Sequence, residues 1–317
     1  MIAGAIAACA CAVALAGCQS SPNPPRVAAS GYQVIVVGSG AGGGPLAARL
    51  ARSGKRVLLL EAGQDVGGTQ KYDVPAMHAL ATEDPAAAWW FFVRHHADAM
   101  LDAEDSKWTK DGILYPRGSA LGGSTAVNAM VTVRPSRSDW NRIASLTGDL
   151  SWRADAMERY YDRVREWLSV ELPDPALALG DRAVTSFLTA AALVHGASLA
   201  ESSGAVRDPV GAAASLGALL EGDLNADLKH GEATGIQRLP LATRHGHRAG
   251  PRDVIVETVA AGAPLTVVTG ALVTRVLFAA DGVTANGVEI ARGDGIYRAS
   301  LAPAAAPEER EELFASE

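Results

Sequence analysis

Beyond residue 18 this chain has no cysteine: its three thiols, Cys9, Cys11 and Cys18, all sit at the extreme N-terminus. The rest of the 317-residue chain can form no disulfide, no thiolate zinc site and no redox dithiol. Any redox chemistry must come from a bound cofactor. Basic residues are also in short supply, 28 Lys and Arg against 35 Asp and Glu, for a formal net charge of −7. A nucleic-acid binder needs a basic face to neutralise phosphates, so nucleic acid is excluded as a partner. Aromatic residues make up only 5% of the chain, although 48% of it is hydrophobic. The core is therefore built from aliphatic and small side chains, enough for one large domain or two ordinary ones.

The N-terminal stretch "MIAGAIAACACAVALAGC" carries no charge. It is shorter than the about 20 residues of a spanning helix and fits the apolar region of a secretory signal. Its last residues, Leu15-Ala16-Gly17-Cys18, resemble the bacterial lipobox, although no Lys or Arg precedes the apolar run. The resemblance implies a lipoprotein signal peptide over 1–17 and lipidation of Cys18, which becomes the mature N-terminus. Residues 18–30, with "QSSPNPP", then form a solvated tether. Gln19 is similar to the residue found in lipoproteins not retained at the inner membrane. A cell-envelope location follows, with the chain lipid-anchored to a bacterial membrane on its periplasmic or extracellular face.

The first folded segment is "YQVIVV", 32–37, a short β-branched run that reads as a buried strand. Gly38, Gly40 and Gly43 follow in G-x-G-x-x-G spacing, interleaved with Ser39, Ala41 and Gly42. "PLAARLARSG" reads as a helix with Leu46, Leu50 and the alanines on its packed side and Gly54 as its stop. "RVLLLE", 56–61, is a second buried strand, which completes a β-α-β unit. In such a unit Gly38 makes the tight turn, Gly40 admits a pyrophosphate to the backbone, and Gly43 lets the helix close on the sheet. The helix N-terminus offers free N–H groups and partial positive charge to the phosphates. Glu61, 18 residues after Gly43 (61 − 43), and Ala62 end the second strand. A carboxylate there accepts ribose hydroxyls and repels a 2′-phosphate. The fingerprint predicts a dinucleotide but does not separate NAD from FAD.

"YPRGSALGGSTAVNAMVTVRPSRSDW", 115–140, closely resembles the first signature of the glucose–methanol–choline (GMC) oxidoreductases. Gly118, Leu121, Gly122, Gly123, Ser124, Thr125 and Asn128 match its pattern, whereas Ser119 and Thr132 depart from it. The Gly122–Thr125 turn itself offers N–H donors and hydroxyls to a phosphate or a flavin edge. The resemblance extends roughly over residues 31 to 295. It implies an α/β, Rossmann-like FAD-binding domain with a β-meander and part of an inserted substrate domain. It further implies that FAD binds non-covalently, since Val127 occupies the position where some members carry a flavin-linking histidine. Arg117, Ala129, Met130 and Val131 join the cofactor-binding set, and Val273 corresponds to a backbone contact to the adenine. The implied reaction oxidises a small-molecule alcohol to an aldehyde or ketone and passes electrons to O₂, a quinone or a cytochrome.

The expected organisation is a first FAD-binding part over 31–147, a partial substrate-domain insertion over 148–230, a second FAD-binding part over 231–300 and a polar tail over 301–317. Within the insertion, "GDLSWRADAMERYYDRVREWL" reads as an amphipathic helix whose stripe of Met157, Tyr160, Tyr161, Val164, Trp167 and Leu168 forms core. Residues 264–290 read as the meander, with "ADG" as a turn. None of the seven histidines (His78, His95, His96, His195, His230, His245 and His247) matches the family's catalytic base, which lies far toward the C-terminus of a full-length member. No catalytic residue is therefore assigned. The chain is expected to stop short of the second signature, so a catalytically incomplete FAD-binding fragment is the alternative reading. His245 and His247 lack the carboxylates of a metal site, and none is expected.

Overall fold

A computed structural model of the chain describes residues 31–109, 111–174, 176, 180–203, 222–231, 237–293, 295–307 and 309–316. Cys18, with the expected signal and tether, lies outside them. Strands β1 (Val34–Val37) and β2 (Val57–Leu60) pair in parallel through helix α1 (Gly43–Arg52). The β2 sequence VLLL is at most 1% exposed, as expected of a central strand covered on both faces. Beyond α1, Gly54 at φ +91° donates its N–H to the Ala51 carbonyl and turns the chain into β2.

The packed face of α1 consists of Gly44, Ala47, Ala48 and Ala51, and Leu46, expected on that face, is 52% exposed. The cause is the close approach of helix Pro251–Ala260. A Cβ on Gly44 would stand 3.0 Å from Pro251 Cβ and 3.1 Å from Ile255 Cδ1, leaving room only for small residues.

Two further strands, β3 (Ala88–Val93) and β4 (Ile113–Gly118), form an antiparallel hairpin that delivers the chain into the glycine turn at 118–123. Strands β5 (Thr243–Arg244) and β6 (His247–Arg248) make a short second hairpin, turning at His245 (φ +53°) and Gly246.

The expected meander is rearranged. Its first segment, β7 (Leu265–Val268), leaves it and extends the parallel sheet in the order β1-β2-β7. Strands β8 (Ala271–Phe278) and β9 (Ala285–Arg292) are antiparallel around the expected turn at 280–282. The third meander strand, β10 (Glu309–Phe314), lies in what reads as a polar tail. Its acids fall on both faces of the strand: Glu309 and Glu311 lie on the face of Leu313, and Glu312 on the other. Leu313 is fully buried with Leu58, Leu60 and Ile290, while Arg310 pairs with Glu289, and Glu311 with Arg292. Past β10, Ala315 forms a parallel bridge with Tyr32 beside β1.

The amphipathic segment at 148–168 also differs. Its helix spans Ala154–Trp167, preceded by a 3₁₀ turn at Leu150–Trp152 because Gly148, at φ +71°, ends the previous helix. Only Ala154 is buried. The expected core stripe is half-buried, and Tyr160 is exposed between the guanidinium groups of Arg159 and Arg163. Among the described residues, no helix is long and apolar enough to cross a membrane.

Candidate functional site

The fingerprint turn, the end of β2 and the turn after β4 converge on Ser39. This side chain is fully buried, and its hydroxyl donates to Glu61 Oε2 at 2.5 Å while accepting the Gly122 N–H at 2.9 Å. Glu61, 5% exposed, also accepts the Ser39 N–H at 2.9 Å and the Gly63 N–H at 3.0 Å. Its carboxylate therefore has a structural task that sequence reading missed: it ties the first glycine turn to the end of β2. A carboxylate has about four lone-pair sites, so acceptor capacity remains for a ribose.

Each turn is shaped for a close backbone approach. A Cβ on Gly43 would lie 2.0 Å from the Gly38 carbonyl oxygen, so only glycine lets α1 close onto β1. Gly122 and Gly123 adopt φ of +99° and +59°. A Cβ on Gly123 would fall 2.8 Å from the Gly40 Cα, so the two glycine turns face one another with no room for side chains between them. Gly118 carries the same constraint against the Gly123 carbonyl at 2.4 Å, and its N–H donates to Ser124 Oγ at 3.1 Å. Leu121 anchors the segment in the α1 core, and its N–H bonds the Gln64 carbonyl. Ser119, a departure from the family signature, is buried where its carbonyl backs onto Gly63, an approach that excludes any Cβ at 63.

The N-terminus of α1, bounded by Gly42, has no side-chain cap and no acid in its first turn. Gly44 N–H bonds the Gly40 carbonyl, Leu46 N–H bonds the Gly42 carbonyl and Pro45 has none, which leaves the Gly43 N–H of the first turn for an outside acceptor. A glycine cradle beside such a terminus fits a pyrophosphate, which accepts from it and complements the helix dipole.

Beyond Ser124 the chain turns through Asn128 and Ala129 to Met130, a non-glycine residue at φ +59°, and on to Val131. Asn128 Oδ1 accepts the Met130 N–H at 3.0 Å, the local bond by which a short polar side chain supports such a turn. Val273 lies on β8 against the cluster of Leu58 and Leu60. The start of that strand is tied to the Glu61 segment through Ala271 N–H to Glu61 O and Gly270 N–H to Gly63 O. Of the expected set, Arg117 is not gathered in. It is exposed, and its guanidinium bonds the adjacent Pro116 carbonyl beside the Tyr115 ring.

An arginine pair absent from the expected set completes the neighbourhood. Arg248 and Arg252 flank the Tyr72 ring at 5.6 and 5.3 Å. Arg252 grips Asp65 with two bonds of 2.5 and 2.9 Å, and its guanidinium packs over Gly67 where a Cβ would stand. Burial pushes the Tyr72 phenol and the Asp253 carboxyl up from their ordinary values. The sequence signal was Arg-x-Gly-Pro-Arg, a helix start with two cations four apart.

A model of the GMC oxidoreductase family matches residues 3–305. The chain belongs to the GMC oxidoreductase family. Its cofactor is FAD, and its fold is the Rossmann-like α/β architecture described above. Among curated relatives it is 33% identical over 137 residues to "Dehydrogenase eriK" of Hericium erinaceus, covering 43% of this chain and 21% of that protein. It is likewise 33% identical over 144 residues to an oxygen-dependent choline dehydrogenase of Vibrio vulnificus, covering 44% and 23%. Among solved structures it resembles pyridoxine 4-oxidase from Mesorbium loti, with a TM-score of 0.62 and 22% identity over 90% of this chain and 48% of that one. A formate oxidase variant of Aspergillus oryzae gives 0.59 and 16% over 92% and 45%. The matches thus span about a fifth of the length of these curated relatives and about half that of the solved chains.

Proposed function

We propose that this chain supplies the FAD-binding part of an oxidoreductase acting on CH–OH groups, taking a small-molecule alcohol to an aldehyde or ketone. The observation that carries the reading is the meeting of the two glycine turns at Ser39, beside a helix N-terminus with no side-chain cap. FAD, when bound, supplies the flavin N5 that accepts hydride from the alcohol carbon. Gly40, Ala41, Gly42 and Gly43 offer backbone N–H groups to the pyrophosphate, while Gly38 and Ser39, whose N–H groups bond the Leu60 carbonyl and Glu61, shape the turn around it. Glu61 and Ala62 face the ribose, Val273 faces the adenine, and Gly122, Gly123, Ser124 and residues 128–131 face the flavin side. Val127, 3% exposed, has no nucleophile, so the attachment is non-covalent.

A second reading, FAD binding without turnover by this chain alone, is favoured by the surroundings of the histidines. His78 bonds the Pro75 carbonyl, His95 sits between Asp105 and Tyr115, and His245 and His247 bound the β5–β6 turn. None of these bonds reaches the glycine turns. A positioned base is worth about 10²–10⁴-fold in rate. The electron acceptor is O₂, a quinone or a cytochrome.

FAD-loaded protein mixed anaerobically with primary, secondary and sugar alcohols separates the two readings. Bleaching faster than that of free FAD supports turnover, and its absence supports binding alone. Acid precipitation should release all the flavin, and colour left in the pellet would contradict the non-covalent assignment. The lipobox-like sequence further supports a cell-envelope protein anchored to a membrane through Cys18. Cys18→Ala should then leave the precursor unprocessed or move the protein to the soluble fraction, and identical fractionation would remove the anchor.

A further inference from the structure

Arg248 is 4% exposed, and its guanidinium organises the loop that carries Asn128 and Met130. Nε donates to the Tyr72 carbonyl at 2.9 Å. Nη1 serves the carbonyls of Thr125 at 3.1 Å and Asn128 at 2.8 Å, together with Asn128 Oδ1 at 3.1 Å. Asn128 Oδ1 is the atom that holds the Met130 N–H, so the left-handed turn at Met130 depends on this cation. Nη2 is buried with no hydrogen-bond partner.

Its charge is equally unmatched. Of the charged groups around it, Arg252 lies across the same Tyr72 ring and is committed to Asp65. The Asp253 carboxylate caps the Gly250 N–H at 2.7 Å and acts on Arg248 only through space. Among the described residues, no carboxylate forms an ion pair with Arg248. Arginine does not discharge by losing its proton, and an unpaired buried cation is costly. A negative charge from outside the chain would answer both the unpaired charge and the free Nη2.

We propose that Arg248 is a positioning residue for the flavin: it fixes the 125–130 loop and supplies the buried positive charge that stabilises the negatively charged, reduced form of the cofactor. This rests on the FAD reading above. Removing the charge should make the flavin harder to reduce, whereas a lysine should keep the potential while loosening the loop.

The test compares FAD-loaded wild type with Arg248→Met, Arg248→Lys and the surface control Arg244→Met, whose parent residue pairs with Glu257 at the protein exterior. Midpoint potentials, FAD affinities and ADP affinities are measured for each. Arg248→Met should lower the potential by at least about 30 mV, a tenfold change for a two-electron couple, and weaken FAD several-fold without changing ADP affinity. Arg248→Lys should restore most of the potential but not the affinity, and Arg244→Met should match wild type. Equal potentials across the series overturn the proposal, as does a loss of ADP affinity at unchanged potential, which would assign the charge to the pyrophosphate. Should Arg248→Met fail to fold, the lysine variant decides: a potential lowered as far as the loss of a full charge predicts overturns the proposal. A wild type that takes up no FAD overturns the cofactor reading and the proposal with it.

Discussion

Single atoms decide whether the two glycine turns meet. The Ser39 hydroxyl joins the fingerprint turn, the end of β2 and the Gly122 N–H, at bonds of 2.5 and 2.9 Å. Ser39→Ala leaves that buried N–H without its acceptor and removes a donor from Glu61. The expected cost is about 1–3 kcal/mol, with weaker FAD binding to match. Denaturant unfolding of the apoprotein and FAD titration measure the two effects, and unchanged curves in both would make the hydroxyl incidental. The same geometry alters what Glu61→Arg is expected to do. Because the carboxylate already serves Ser39 and Gly63, the substitution should destabilise the chain before any FAD is added, as well as weakening FAD.

At the level of elements, β10 is the clearest departure from expectation. "EEREELF" looks like a charged tail because four of its seven residues are acids. In β10 the charges are spent laterally, on Arg292 and on Glu289 through Arg310, while Leu313 inserts into the core behind β2. Leu313→Ala should therefore cost about 2–5 kcal/mol. The exposed Leu301→Ala should stay within about 0.5 kcal/mol. Unfolding midpoints of the two variants check this, and equal midpoints would return residues 309–316 to a tail. Helix α1 shows the converse lesson. Its alanines and Leu50 pack as expected, but Leu46 is turned out, and beside Gly44 a neighbouring helix only 3.0 Å from where a Cβ would stand leaves no space for a larger residue.

Across the whole molecule, helix Ala154–Trp167 is joined to the segment around Arg134 by charge as well as by ring contact. Arg134, just past the turn at Met130, forks onto Glu158 of helix Ala154–Trp167 and stacks over Tyr161, and Lys229 reaches the same carboxylate at 3.2 Å. The Arg134 hydrogen bonds hold the Glu158 pKa at about 2, well below its ordinary value. A depressed folded-state pKa gives stability that is fully present above the unfolded value, about 4.3. That stability is lost as the pH falls through the folded value. Glu158→Gln should thus be less stable than wild type at pH 6, and the difference should shrink progressively below about pH 4. Urea midpoints at stepped pH follow this, and a gap independent of pH would remove the ion pair as its source.

The sequence by itself determined the β-α-β unit, the dinucleotide cradle and the family. Those signals are local: a β-branched run ending in glycine, three glycines at fixed spacing and a signature block whose turn residues need positive φ wherever they stand. It did not determine which partners the turns find. Ser39 and Gly122 are 83 residues apart, Arg248 and Asn128 are 120 apart, and β7 pairs with β2 rather than with β8. Hydrophobic periodicity reports how a segment folds on itself but carries no address for the strand or loop it meets. A buried arginine or an acid-rich strand looks polar in sequence, and only the tertiary structure supplies the carbonyls that hold the guanidinium and the neighbouring strand that pairs with the acids.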